Sequence, residues 1–408
     1  MLASHYFPKL ILLIVSKLSF ITNHGLCSLI LVMSFSILTQ VAESGDSMGS
    51  ILQIVYLFSF LIFMFYGQKF QTWMMLREIQ GAVVRLRTFR DEAKKTTITT
   101  MQEFGNKDTN PTPRIEQFME FFAIMPSSLD PAGIVPKIQH LVKVEDKRVK
   151  SEIILLAPAA NEVQRDNLEG VLAVATTLNT IYRVVNHFYL TGKKSMSLYA
   201  IVQIQMQLPQ IMQVAQAYNG FLKAFVEGQP VGDGAGALVA AKLMYGHPSS
   251  EIARDMVVAN IDLEGRKLIV MKAKGPGSTV GKPGEALEKT VEEAQSRGDQ
   301  VSMILMVDAG QKYEGEKSGG TSEGIGAAIG GIGVEAFEIE AVSTKYAIPL
   351  YAVKIKESIE ESMNPMTKEI SEGTDVALAK VKKIILEGTK VGDLVIVAGI
   401  GNTVGVGQ

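Results

Sequence analysis

The sequence predicts a membrane-anchored α plus α/β chain: an N-terminal transmembrane helix or hairpin, an all-helical middle domain, and a C-terminal domain built on a mainly parallel sheet. Three observations predict it. Residues 51–66 form an apolar run with no charged side chain. From 114 to 228, Leu, Ile, Val and Ala recur at three- and four-residue steps with sparse glycine. From 229 onward glycine becomes frequent, and short apolar runs alternate with amphipathic stretches.

The first segment is residues 1–67, with its main span at 48–67. Twenty residues are just enough to cross a bilayer as a helix, and an apolar face all round rarely serves a soluble helix. A second apolar stretch, 27–42, and the acidic loop 43–47 leave a helical hairpin open beside a single span. Met48 is an alternative start that keeps the anchor. Lys69, Arg77, Arg85, Arg87, Arg90, Lys94 and Lys95 follow the span, whereas Glu43 and Asp46 precede it. The positive-inside rule then places the bulk of the chain in the cytoplasm. Residues 68–113 read as a basic juxtamembrane helix and linker that meets anionic lipid head groups.

Across 408 residues the formal charge is −2, so the chain carries no general attraction for nucleic acid. Cys27 is the only cysteine, which excludes an internal disulfide and a cysteine metal site. His140 and His187 stand alone on predicted helices, with no ligand partner at helical spacing. Breaks are expected at 126–131, at Pro158, at 191–194, and at Pro209 as a kink or boundary.

In the last domain, 229–408, strands are expected at 255–261, 267–272, 301–307, 337–343, 349–354 and 394–398. Helices are expected at 236–244, 284–296, 358–370 and 375–387. Three polar turns fall at strand ends or helix starts, which is how an open α/β sheet assembles a site. They are Asp233-Gly234-Ala235-Gly236 before a helix, Asp308-Ala309-Gly310 after a strand, and Gly399-Ile400-Gly401-Asn402 after the last strand. Asp233 and Asp308 are commonly a cap and a turn former in such places. Brought together, they become candidate catalytic groups, because close carboxylates share a proton or take a divalent cation. They are also the residues that would hold such a metal.

The segment 272–283 invites a phosphate-loop reading and fails it, since Pro276 and Pro283 occupy positions that need Gly and Ser/Thr. What remains is a candidate anion loop, with Lys272, Lys274, Gly275, Gly277, Gly281 and Lys282 as ligand-binding residues. A plain strand–helix connection is the equal alternative. Residues 308–335 are expected to form a glycine-rich lid carrying Lys312, Glu314, Glu316 and Lys317. Gly399, Gly401 and Asn402 complete the candidate ligand set.

From Arg114 onward the chain resembles an archaeal family known only as a domain of unknown function. The phrases that carry this are Asp130-Pro131-Ala132-Gly133-Ile134 and the stretches 272–284, 314–319, 326–335 and 399–405. Its three polar turns are also similar to those of hydrogenase-maturation endopeptidases and the spore germination protease, in rotated order, as a circular permutation would produce. That resemblance implies a peptidase-like hydrolase whose functional carboxylates are Asp233 and Asp308. The expected third ligand, a histidine, has no counterpart, because His247 falls after the first helix. The expectation is therefore an aspartate-pair hydrolase acting on a peptide or protein, with or without a cation. The alternative is a non-enzymatic sensor or scaffold binding an anionic or phosphorylated ligand at the glycine-rich loops.

Overall fold

A computed structural model describes residues 47–106, 110–127, 133–195 and 198–408. Residues 1–46, with the possible second span, lie outside the described residues, as do Asp130, Pro131 and Ala132 of the turn quoted above. Five long or short helices come first: α1 (Ser47–Phe104), α2 (Thr112–Phe118), α3 (Ile134–Leu156), α4 (Glu162–Ser195) and α5 (Leu198–Glu227). The predicted span and juxtamembrane helix are one continuous helix, α1. Gly67 alone does not end it, since an isolated glycine weakens a helix without breaking it. No helix among the described residues is long and apolar enough to cross a membrane. The predicted span, 48–67, lies in the first turns of α1, where most side chains are outside the described set. Pro209 sits inside α5, which continues past it instead of ending there. α4 starts at a reciprocal cap: the Gln164 N–H donates to Asn161 Oδ1, and the Asn161 N–H donates to Gln164 Oε1.

The described chain forms two compact units. One comprises the described residues before Leu86 with Val184–Pro209; the other comprises Leu86–Arg183 with Gln210–Gln408. In the first, Gln205 Nε2 donates to Glu78 Oε2 at 2.6 Å. In the second, Arg114 and Arg148 both reach the buried Glu152 carboxylate, and Asn179 donates to the Met119 carbonyl.

The C-terminal sheet has strands β1 (Ser249–Ala253), β2 (Met256–Leu263), β3 (Arg266–Ala273), β4 (Val301–Gln311), β5 (Thr321–Ile325), β6 (Leu350–Glu357) and β7 (Leu394–Gly399). Its order is β1-β2-β3-β7-β4-β6-β5. The four central strands are parallel, and both margins are antiparallel. The sheet is therefore mixed, not mainly parallel. The two missed strands are the edge ones, β1 and β5, whose residues are largely exposed and so carry no apolar alternation.

Helices α6 (Ala235–Met244), α7 (Pro283–Ser296), α8 (Val334–Lys345), α9 (Ile359–Met363) and α10 (Lys368–Gly388) complete the domain. α8 corrects the strand expected at 337–343, whose short apolar pattern does not distinguish the two. One apolar cluster joins α7 and α8 to one face of the sheet, through Leu287, Val291, Ile339 and Val342 against Ile304, Met306 and Ile396. The second joins α6 and α10 to the other face, through Val239, Leu243, Val381 and Ile385 against Leu305, Val353 and Val397. All six residues of β7 are buried, as expected of a central strand covered on both sides.

A polar seam fastens the loop after β3 and the turn between β1 and β2 to α3 and α4. The Ser278 N–H donates to Asn167 Oδ1, Lys150 pairs with Asp255 at 3.0 Å, and a Cβ on Gly277 would lie 2.5 Å from Asp166 Oδ2. Burial first, opposed by Lys150 and aided by neighbouring acids, pushes Asp166 up to about 6 and Glu169 up to about 8. Both are ionised in an unfolded chain at neutral pH, so folding takes up protons, and this part of the stability is lost as pH rises towards about 8. The melting temperature is expected to fall by several degrees from pH 5.5 to 8.5, and Glu169→Gln is expected to flatten that slope. Calorimetry of both proteins across that range is the check.

Candidate functional site

The site is built where the first turn of α6 meets the carboxyl ends of β4 and β7. Asp233 sits in the one-turn 3-10 segment Gly232–Gly234 that leads into α6. Its Oδ2 accepts the backbone N–H of Asn402 at 3.1 Å. The approach is so close that side chains are excluded. A Cβ on Gly236 would lie 2.2 Å from the Val307 carbonyl oxygen and 2.4 Å from that of Ile400. At Gly401, where φ is +126°, a Cβ would lie 1.8 Å from the Asp233 carbonyl oxygen.

Asp308 is the eighth residue of β4, aligned with Lys354 of β6. The helix following β4 covers one face of the sheet and the helix following β6 covers the other, so Asp308 stands at a crevice of the kind where doubly wound sheets bind ligands. It is 7% exposed. Burial and then the nearby Asp233 carboxylate hold its pKa well above the usual range, against weaker opposition from Lys354 and the Ala309 N–H. Burial also raises Asp233, with the Asn402 N–H opposing.

Asp233 and Asp308 line one cavity of about 360 Å³. Gly281, Lys282 and Gly401 from the expected ligand set also line it. Residues 329–335, the last part of the segment expected as a lid, line it too, whereas Gln139, Val142 and Lys143 from α3, Glu285 and Glu288 from α7, and Glu338 from α8 escaped the sequence reading. Glu338 is pushed up to about 7 by burial and by Glu335. Residues 329–335 carried a legible signal, as part of the glycine-rich phrase 326–335.

A third acid lies behind the pair. Glu357 at the end of β6 is 2% exposed, and neither carboxylate oxygen has a hydrogen-bond partner. Burial, then Asp233 and Asp308, raise its pKa well above the ordinary value. A Cβ on Gly232 would come within 2.5 Å of Glu357 Oε2, so glycine there lets the acid reach the turn. Among the described residues no group of three His, Cys, Asp or Glu side chains is arranged to hold a metal ion.

The other expected ligand residues lie elsewhere. Lys272 is sealed in the core; burial lowers it to about 8, and its Nζ donates to the Ala273 carbonyl. Lys274 pairs with Glu162 at 3.1 Å and with Glu251 at 3.6 Å. Lys282, on the cavity wall, pairs with Asp146 at 3.3 Å. Gly275 and Gly277 pack against Val406 and Asp166. Asn402 turns its side chain away, donating to Ser278 Oγ and accepting the Val404 N–H. Gly399 packs on Ala240 and the Gly236 carbonyl. The segment expected as a lid is partly sheet: Lys312 donates to Ser318 and pairs with Glu361, Glu316 pairs with Lys356, and Glu314 and Lys317 are exposed. None of these four lines the cavity.

Residues 53–228 match the family model described as protein of unknown function (DUF1512) N-terminal domain. Residues 231–407 match the domain of unknown function (DUF1512) C-terminal. No curated protein matches, and no solved structure matches. The likeness to hydrogenase-maturation endopeptidases thus stands on the three turns alone. The two family models together span most of the chain, which belongs to the DUF1512 family.

Proposed function

We propose that the C-terminal domain is a hydrolase, peptidase-like in its chemistry, working through Asp233 and Asp308. The observation that carries this is that two carboxylates, one nine-tenths buried, share one cavity, where the Asp233 carboxylate raises the proton affinity of Asp308. Asp308 holds its proton more tightly, while Asp233 is eased towards ionisation by the Asn402 N–H. An ionised Asp233 takes a proton from water as the water oxygen attacks an amide carbonyl carbon. Asp308 gives its proton to the carbonyl oxygen, and collapse of the adduct returns a proton to the leaving amine. No cation is needed for this sequence, although a divalent ion on the same pair would serve the same end.

The non-enzymatic alternative, an anion sensor, calls for free lysines on the loop after β3. Lys274 and Lys282 have carboxylate partners and Lys272 is sealed, which favours the hydrolase reading.

We also retain the membrane anchor as a proposal. It rests on the uncharged run 51–66 and the basic residues that follow, and it places the remainder of the chain on the cytoplasmic side.

Two outcomes test these readings. With casein and capped peptides as substrates, hydrolysis is expected to show a bell-shaped pH profile, and Asp308→Asn is expected to lower kcat by at least about 100-fold with an unchanged melting temperature. Retained turnover in that variant overturns the carboxylate mechanism. Carbonate extraction is expected to leave the full chain in the membrane pellet and to release a chain starting at Gln68; release of both removes the anchor.

A further inference from the structure

We propose that the cavity takes a positively charged ligand with an apolar stem, an alkylammonium group such as a lysine side chain or a free aliphatic amine. The inference rests on the reading of this cavity as the active site and names its substrate class.

Six carboxylates line the cavity, from Asp233, Glu285, Glu288, Asp308, Glu335 and Glu338, against two lysines, Lys143 and Lys282. The two outer acids have their own cations. Glu285 pairs with Lys289 at 2.8 Å, and Glu288 lies 4.0 Å from Lys345. Lys282 is held from behind by Asp146 and lies 3.9 Å from Glu335. The inner acids are less well served. Glu335 accepts the Gly284 N–H at 2.9 Å, and Glu338 accepts from the Gln139 amide. Asp308 is nine-tenths buried and faces the cavity, its carboxylate served by the Ala309 N–H and the more distant charge of Lys354. Glu357, unpartnered and sealed, adds another acid immediately behind the pair. Lys354 lies near Asp308 but is exposed.

Between these acids the walls are apolar: Val142, Val280, Ile329, Ile332, Val334 and Ile400. Buried carboxylates without counter-charge are costly, and an entering cation relieves that cost while an anion worsens it. The apolar walls suit the methylene stem of a lysine or an aliphatic amine, which buries its chain and keeps its charge among acceptors. A neutral apolar ligand would satisfy the walls and leave the carboxylates as they are.

The test uses matched probes on the full chain by isothermal titration calorimetry. The probes are 1,5-diaminopentane, glutarate of the same length and opposite charge, and capped Ala-Lys-Ala and Ala-Glu-Ala peptides. The diamine, the lysyl peptide or both are expected to bind, with no heat from glutarate or the glutamyl peptide. Binding of the peptide alone identifies a polypeptide source; binding of the diamine alone identifies a free amine. Glu338→Gln and, separately, Glu335→Gln are expected to weaken the cation by about three- to ten-fold at low salt, with less effect at high salt. Glu335→Gln serves as the second variant should the first fail to fold. Absence of binding by both cations, or glutarate binding as tightly, overturns the proposal. Turnover is scored separately. Amine binding without hydrolysis removes only the hydrolase reading, whereas hydrolysis of peptides without preference for lysine removes only the ligand class.

Discussion

The backbone of the α6 entrance presses directly onto the ends of β4 and β7, and the rest of the site depends on that contact. Within this contact, Gly234, Gly236, Gly399 and Gly401 are positions where a Cβ would lie within about 2.5 Å of a neighbouring atom. Their absence of Cβ atoms lets the turn descend far enough for Asp233 to meet the Asn402 N–H and the field of Asp308. A helix docked one side-chain diameter further out would leave Asp233 as an ordinary solvated cap and Asp308 as an isolated strand end.

The second organising fact is the distribution of charge. Loop lysines that the sequence offers to a ligand are instead engaged with Glu162, Glu251 and Asp146, and the contacts with Glu162 of α4 and Asp146 of α3 draw those helices onto the sheet domain. Their engagement leaves the cavity wall short of cations and supplies its far side, because α3 brings Gln139, Val142 and Lys143 to it. The helical region thus serves as one wall of the site as well as a separate part of the sequence.

Much of this was legible beforehand. The central strands, α6, α7 and the three polar turns follow from apolar runs and glycine punctuation, and those signals are local. That Asp233 and Asp308 would reach one cavity was readable from the rule that strand ends in such sheets converge at one edge. Glu357 was not readable: a glutamate before a serine cap looks like a solvated helix start, and only the opening at Gly232 reveals that it points inward. Glu338 was hidden by the mistaken strand at 337–343, and α3's contribution by its distance in sequence from the sheet. β1 and β5 went unseen because exposed edge strands have no buried face to write a period-two pattern.

The position of β7 has a consequence for how the domain comes into being. Leu394–Gly399 is the last strand in sequence, yet it lies between β3 and β4 and holds them together. Until it arrives, β1–β3 and β4–β6 are two separate half-sheets, each with an open apolar edge of the kind that recruits other chains. Closure links residues more than a hundred positions apart, so it is a slow, non-local event during synthesis. A nascent chain in which this strand has not yet docked therefore exposes both edges, and a chaperone would have those edges to shield.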